Sequence, residues 1–155
     1  MYYFDNGLFK KLNILPVFPN ERKFSEEINS ISDNFEKIYN QAFQAEQYSL
    51  GLIAGPGYRK SLEFLIKDYA IKKSDDGQKG KILNTSLGDV INNFIVDLRI
   101  KNIAKRATWL GNDEIHYLRK WEDKDLEVLK ILIELTVRWI EMTERSDKFE
   151  KEMPE

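Results

Sequence analysis

At 155 residues the chain has the length of one domain, and 42% apolar against 32% charged residues is the mixture of a folded protein with a water-facing surface. The balance of 24 basic against 26 acidic residues excludes a protein that coats nucleic acid by bulk charge, although it is compatible with a local basic groove. Absence of cysteine excludes disulfides, thiolate metal sites and cysteine nucleophiles, and a single histidine leaves zinc without its usual donors, so no metal or cofactor is expected.

The opening residues Met1–Gly7 lack the basic start and apolar run of a secretory leader, and no apolar run approaches membrane-spanning length. The expectation is a cytoplasmic protein with no membrane partner. Residues 1–24 read as an irregular segment: Tyr2–Phe4 can extend, Asp5-Asn6-Gly7 signals a turn, and Pro16 and Pro19 forbid a continuous helix. Its aromatic density (Tyr2, Tyr3, Phe4, Phe9, Phe18) predicts that it packs on the domain.

Helical signals fill residues 25–147. Ser25 resembles the cap of a partial capping box with Ile28 in the N3 slot, and Ser32 precedes a stronger start. Phe35, Ile38, Tyr39, Ala42, Phe43 and Ala45 recur at helical spacing, predicting a helix over Asp33–Ser49. Gly51 and Gly55-Pro56-Gly57 interrupt the pattern, and Pro56 suits the first turn of a new helix running to about Lys73. On that helix Tyr58, Leu62, Leu65, Ile66 and Tyr69 form one stripe, while Arg59 and Glu63 are spaced to pair. Lys73–Lys81 reads as a polar loop.

Thr85 or Ser86 caps a short helix carrying Leu87, Val90, Ile91, Phe94 and Ile95, and a further helix holds Leu98, Ile103, Ala104 and Ala107. Gly111 falls inside or at the end of it, where a glycine permits close backbone approach or a bend. The last helix is predicted from near Asp123 to about Ser146. Its breadth of apolar residues predicts a central position, or failing that a contact with a second copy of the chain. No heptad pattern lasts long enough for a coiled coil, and residues 148–155 read as a frayed tail. The fold class is all-α, an up-and-down bundle of five or six helices.

Chemistry-capable residues concentrate in Arg106–Trp121, which holds the only histidine, His116, four residues after Asn112 and so on the same helical face. The pair reads either as a satisfied polar contact or as a proton-transfer site, since an imidazole titrates near neutrality. Arg106, Arg119 and Lys120 could supply a cation, Trp109 and Trp121 could stack a base, and Arg59 with Glu63 reads first as an intrahelical ion pair. Asp113, Glu114, Glu122 and Asp123 match no ligand loop, and phosphate-loop, dinucleotide and serine-hydrolase motifs are absent.

Two stretches together resemble a known family. Gly57-Tyr58-Arg59-Lys60-Ser61-Leu62-Glu63 supplies an R-x-x-L-E helix, and Gly111-Asn112-Asp113-Glu114-Ile115-His116 a later G-N-x-x-x-H. The pair resembles the bacterial domain-of-unknown-function family 4145, over about Ile38 to Met142, and that family is similar to the HEPN superfamily of helical domains in toxin–antitoxin, phage-defence and RNA-processing systems. The resemblance implies a dimeric domain that engages RNA or a nucleotide, whose active members are metal-independent ribonucleases with an R-N-x-x-x-H motif. Asn112 and His116 match the motif's asparagine and histidine, whereas Gly111 occupies the arginine's place and Arg106 lies outside the spacing. A binding module of weak or no catalytic power, with Arg59, Glu63, Asn112 and His116 as its polar centre, is therefore expected. A ribonuclease with His116 as base and Arg59 as a displaced arginine is the alternative, and a structural module for a protein partner is a third reading.

Overall fold

A computed structural model describes the backbone of residues 2–5 and 8–11, residues 18–112 with the backbone of 113, and residues 126–154. Within them the chain is a helical bundle, as the periodicity predicts, preceded by an antiparallel hairpin of β1 (Tyr2–Asp5) and β2 (Leu8–Lys11), with Phe4 paired to Phe9. The extended segment expected at Tyr2–Phe4 is thus one arm of a hairpin. Of the aromatic residues expected to pack down, Phe18 is 87% exposed, and the side chains of Tyr2, Tyr3, Phe4 and Phe9 lie outside the described residues.

Seven helices follow among the described residues: α1 (Glu26–Ile31), α2 (Asp33–Gln47), α3 (Gly51–Lys73), α4 (Lys79–Asn84), α5 (Leu87–Phe94), α6 (Leu98–Asp113) and α7 (Leu126–Glu152). Ser25 and Ser86 cap α1 and α5 with their side chains, accepting from the N–H groups of Ile28 and Asp89. Ser32 starts α2 where expected, but its hydroxyl makes no cap bond and instead donates to Asp68 on α3 at 2.5 Å. Tyr48 ends α2, and Ser49 follows with φ 61. The N–H groups of Ser49 and Leu50 return to the carbonyls of Glu46 and Ala45, the double closure that a left-handed residue permits.

Three boundaries differ from expectation. The helix α3 starts at Gly51 and contains Pro56 rather than beginning with it. The N–H that Pro56 lacks would have bonded the carbonyl of Leu52, and Leu52 is 94% exposed, so water can take that acceptor. Lys79–Lys81, read as the end of the polar loop, instead open α4, whose Ile82 is fully buried and anchors it. The last helix continues past Ser146 to Glu152.

The central element is α3, not the last helix. It packs on α1, α2, α4, α5, α6 and α7, and it buries Ala54, Tyr58, Leu62, Leu65, Ile66 and Tyr69 among others. Gly57 lets α2 approach closely, since a Cβ there would meet the Cβ of Ala42 at 2.8 Å. Phe24, Phe35, Tyr39 and Tyr58 meet edge-on at the α2–α3 contact, with centroids 4.7 to 5.1 Å apart for Phe24–Phe35, Phe24–Tyr39 and Tyr39–Tyr58. By contrast, α7 buries one stripe, Leu129, Ile133, Thr136, Val137 and Ile140, and leaves Ile131, Leu135 and Met142 exposed. Its apolar breadth overstated its burial because exposed aliphatic residues cost a surface little. No helix among the described residues is long and apolar enough to cross a membrane.

Candidate functional site

The two motifs that stand more than fifty residues apart in sequence meet in space. Arg59 lies on the third turn of α3 and Asn112 on the last turn of α6, and the Nε–H of Arg59 donates to Asn112 Oδ1 at 2.6 Å. The second edge of the guanidinium, Nη1, donates to Glu63 Oε2 at 3.2 Å. Gly111 explains how the arginine gets there: a Cβ on it would sit 3.0 Å from both Cβ and Cγ of Arg59, so the arginine stem lies along bare helix backbone. The close approach that a glycine at this place allows is realised here. The guanidinium also stands at the C-terminal end of α6, where a cation is favoured by the helix dipole.

Glu63 is the hub of the charges. Its other oxygen, Oε1, faces Lys67 Nζ at 3.1 Å, and Lys60 stands 3.9 Å from Oε2. Burial works against the Glu63 charge, but the Lys67 hydrogen bond and the fields of Lys60, Lys67 and Arg59 outweigh it and hold the carboxyl below its ordinary value. Lys67 is itself 15% exposed and donates to the Leu83 carbonyl at the end of α4 at 3.1 Å. The side chains of Arg59 and Glu63 remain 24% and 21% exposed, so the cluster is half-sunk rather than sealed. With three cations around one carboxylate, it presents an oriented guanidinium in a locally positive field, an arrangement that can receive an anion.

Of the other residues singled out by sequence, Arg106 and Trp109 are described. Arg106 is exposed and donates to the Asn102 carbonyl of its own helix at 2.8 Å. Trp109 is 54% exposed on α6, three residues before Asn112. His116 and Arg119, with Lys120 and Trp121, lie outside the described residues. So do Glu114, Glu122, Asp123 and the side chain of Asp113. Sequence reasoning passes over Lys67 and Lys60, although the i,i+4 step from Glu63 to Lys67 is the same signal that marks Arg59 and Glu63.

A competing surface is the open groove of about 460 Å³ lined by Pro19, Asn29, Asp33, Glu36, Asn40 and Gln44 among others. Its best polar groups are already engaged in holding the chain before α1. Asn40 bonds both backbone groups of Arg22, and Glu36 accepts from the N–H of Phe24 and from Asn29. The groove's polarity is thus explained by the fold, whereas the Arg59 cluster exceeds what helix packing requires. No family model, curated protein or solved structure matches the chain.

Proposed function

We propose that the chain is a HEPN-like helical module that engages RNA or a nucleotide through Arg59, with Glu63 and Asn112 orienting it and His116 completing the polar centre. It is read as a cytoplasmic, dimeric binding module of stress, toxin–antitoxin or phage-defence systems, with little catalytic power of its own. The observation that supports this is the guanidinium of Arg59, fixed on two edges by Asn112 and Glu63 over Gly111. A guanidinium held in one orientation has already lost the rotamer freedom that binding a phosphate would otherwise cost.

The test is anisotropy titration of labelled mixed-sequence RNAs and mononucleotides across a salt series. Arg59→Ala is expected to weaken binding by about tenfold or more and to flatten the salt dependence by roughly one counterion. Arg59→Lys should recover charge without the fork and fall between. Equal binding by wild type and Arg59→Ala, both melting as folded proteins, would sink the reading.

One observation favours a second reading, a metal-independent ribonuclease: Arg59 lies against the motif asparagine, beside the place where the family motif carries its own arginine. In that case His116 removes the 2′-hydroxyl proton and Arg59 steadies the charge that develops on phosphorus. Cleavage that survives chelator and disappears in His116→Ala is the expected result. Silence of the wild type towards mixed RNAs would remove it, leaving the binding module or a structural one that presents its surface to a protein partner.

A further inference from the structure

We propose that the Arg59 site reads an end: it takes a phosphate monoester, the terminal phosphate of an RNA or a mononucleotide, in preference to an internal phosphodiester. This rests on the RNA reading above and narrows it to one chemical group. Two nitrogens of the guanidinium are committed inside the fold, Nε to Asn112 and Nη1 to Glu63. Among the described residues Nη2 donates to nothing, so its two N–H groups are the donors left for a ligand. The side chain of Arg59 is only 24% exposed, with its stem along the bare backbone of Gly111, so a ligand must approach from one side. A terminal phosphate offers three free oxygens on a single ester arm. An internal phosphodiester offers two, between two ribose arms that must clear α3 and α6 together.

The charge around Nη2 also fits a dianion. Glu63 gathers Arg59 and Lys60 on one oxygen, Oε2, at 3.2 and 3.9 Å, so one tetrahedral anion can face both cations. Lys67 holds the other oxygen at 3.1 Å and balances the carboxylate. Three cations against one carboxylate leave Arg59 and Lys60 without a counter-charge. Lys60 is 56% exposed, and its ammonium lies over the Phe64 ring, 5.2 Å from the centroid, which keeps it beside the site. The C-terminal dipole of α6 opposes an anion by about half a charge, so one cation alone would leave little field, whereas two leave a surplus. From Leu98 to Asn112 α6 adds Arg99, Lys101, Lys105 and Arg106 and no acidic residue. Near neutrality a phosphate monoester carries about −1.5 to −2, against about −1 for a backbone phosphate, so the surplus favours the end group.

The test uses one short oligoribonucleotide with an internal fluorophore, prepared with a 5′-phosphate, with a 3′-phosphate, with hydroxyls at both ends, and as a closed circle. Each is titrated by anisotropy with the full chain. One of the phosphate-ended forms is expected to bind about tenfold tighter than the hydroxyl-ended form and the circle. Millimolar inorganic phosphate should remove that advantage. Arg59→Ala should erase the difference. Lys60→Ala, at an exposed side chain whose loss spares the fold, should reduce it several-fold, and Lys60→Arg should keep it. Equal binding of all four forms, with Arg59 still required, would overturn the proposal and leave the RNA reading standing. An end preference untouched by Arg59→Ala and Lys60→Ala would overturn the assignment to this site. Arg59-dependent binding of adenosine monophosphate but not of its 5′-methyl ester, in a chain indifferent to every RNA, would support the proposal with a free nucleotide in place of RNA. A wild type that binds none of these probes at millimolar concentration would overturn both readings.

Discussion

Glu63 and Asp68 stand five residues apart on α3 and are pushed in opposite directions by what surrounds them. Burial opposes the charge of both. Glu63 has Lys67, Lys60 and Arg59 to overcome it, and its carboxyl is held low. Asp68 has the Ser32 hydroxyl and a distant Lys79, with Asp33 adding repulsion, and its carboxyl is pushed up. The linkage signs follow. Glu63, lower when folded, adds stability above the ordinary carboxylate value near ~4.3 that is lost as pH falls through its lowered one. Asp68, higher when folded, opposes folding once it must ionise, so its stabilising share is present at low pH and lost as pH rises through the raised value. Asp68→Asn keeps an acceptor for Ser32 and removes that penalty. Thermal melts are expected to show the variant more stable than wild type at pH 7, the gap closing as pH drops below the ordinary aspartate value near ~3.9. A gap that persists or widens in acid would show that burial of Asp68 is not what limits it. At this scale the candidate site was half legible: Arg59, Glu63 and Asn112 were each marked, but their meeting depends on Gly111 facing α3, which no local pattern encodes.

Local chemistry and packing divide the elements between what sequence discloses and what it hides. The serine caps, the stripe from Tyr58 to Tyr69 and the helix through Asn112 were readable because each is decided within a few turns of chain. The start of α3 was not, because Gly55-Pro56-Gly57 signals a break by propensity while the fold uses those residues for contact. Gly55 is buried and Gly57 admits Ala42 of α2. Helix α4 was hidden for the opposite reason, since one buried isoleucine holds a segment whose composition reads as loop. The placement of α7 is not legible in the sequence, because apolar breadth does not say which stripe is covered. Gly57→Ala tests the packing account. Alanine favours a helix by about 1 kcal/mol over glycine, yet its Cβ would stand 2.8 Å from that of Ala42, both close to backbone that cannot yield. A net loss of about 1–2 kcal/mol is expected by urea denaturation, an overpacking cost of about 2–3 kcal/mol less the helix gain. In an Ala42→Gly background the same substitution should be neutral or stabilising. Stabilisation by Gly57→Ala alone would return the glycine to the role of a helix break.

Across the whole molecule, α2, α3 and α7 are tied where Glu46 collects two donors. The Tyr58 hydroxyl, on a ring with no exposed surface, donates to Oε2 at 2.6 Å, and Lys130 of α7 donates to Oε1 at 2.8 Å. Burial opposes the Glu46 charge, but these bonds and the Lys130 field hold its carboxyl low, while burial and Glu46 together push the Tyr58 phenol up. Further pairs fasten α7 elsewhere: Arg22 with Glu134, Arg145 with Glu27 and Lys73 with Glu144. Most of these are more exposed than Lys130, whose side chain is 18% exposed, and exposed pairs contribute little each. The Glu46 node is therefore where removal should register. Tyr58→Phe takes away one donor and leaves Glu46 with Lys130, a loss of about 1 kcal/mol. Glu46→Ala strands a buried hydroxyl, and Lys130 keeps only Glu127, so about 2–3 kcal/mol is expected. Once the phenol is gone, Glu46→Ala strands less, and the double variant should cost less than the sum of the singles in a denaturation cycle. Strict additivity would mean that Tyr58 and Glu46 stabilise the bundle separately, and the α2–α3 contact there would then rest on the aromatic rings of Phe35, Tyr39 and Tyr58 and not on the phenol–carboxylate bond.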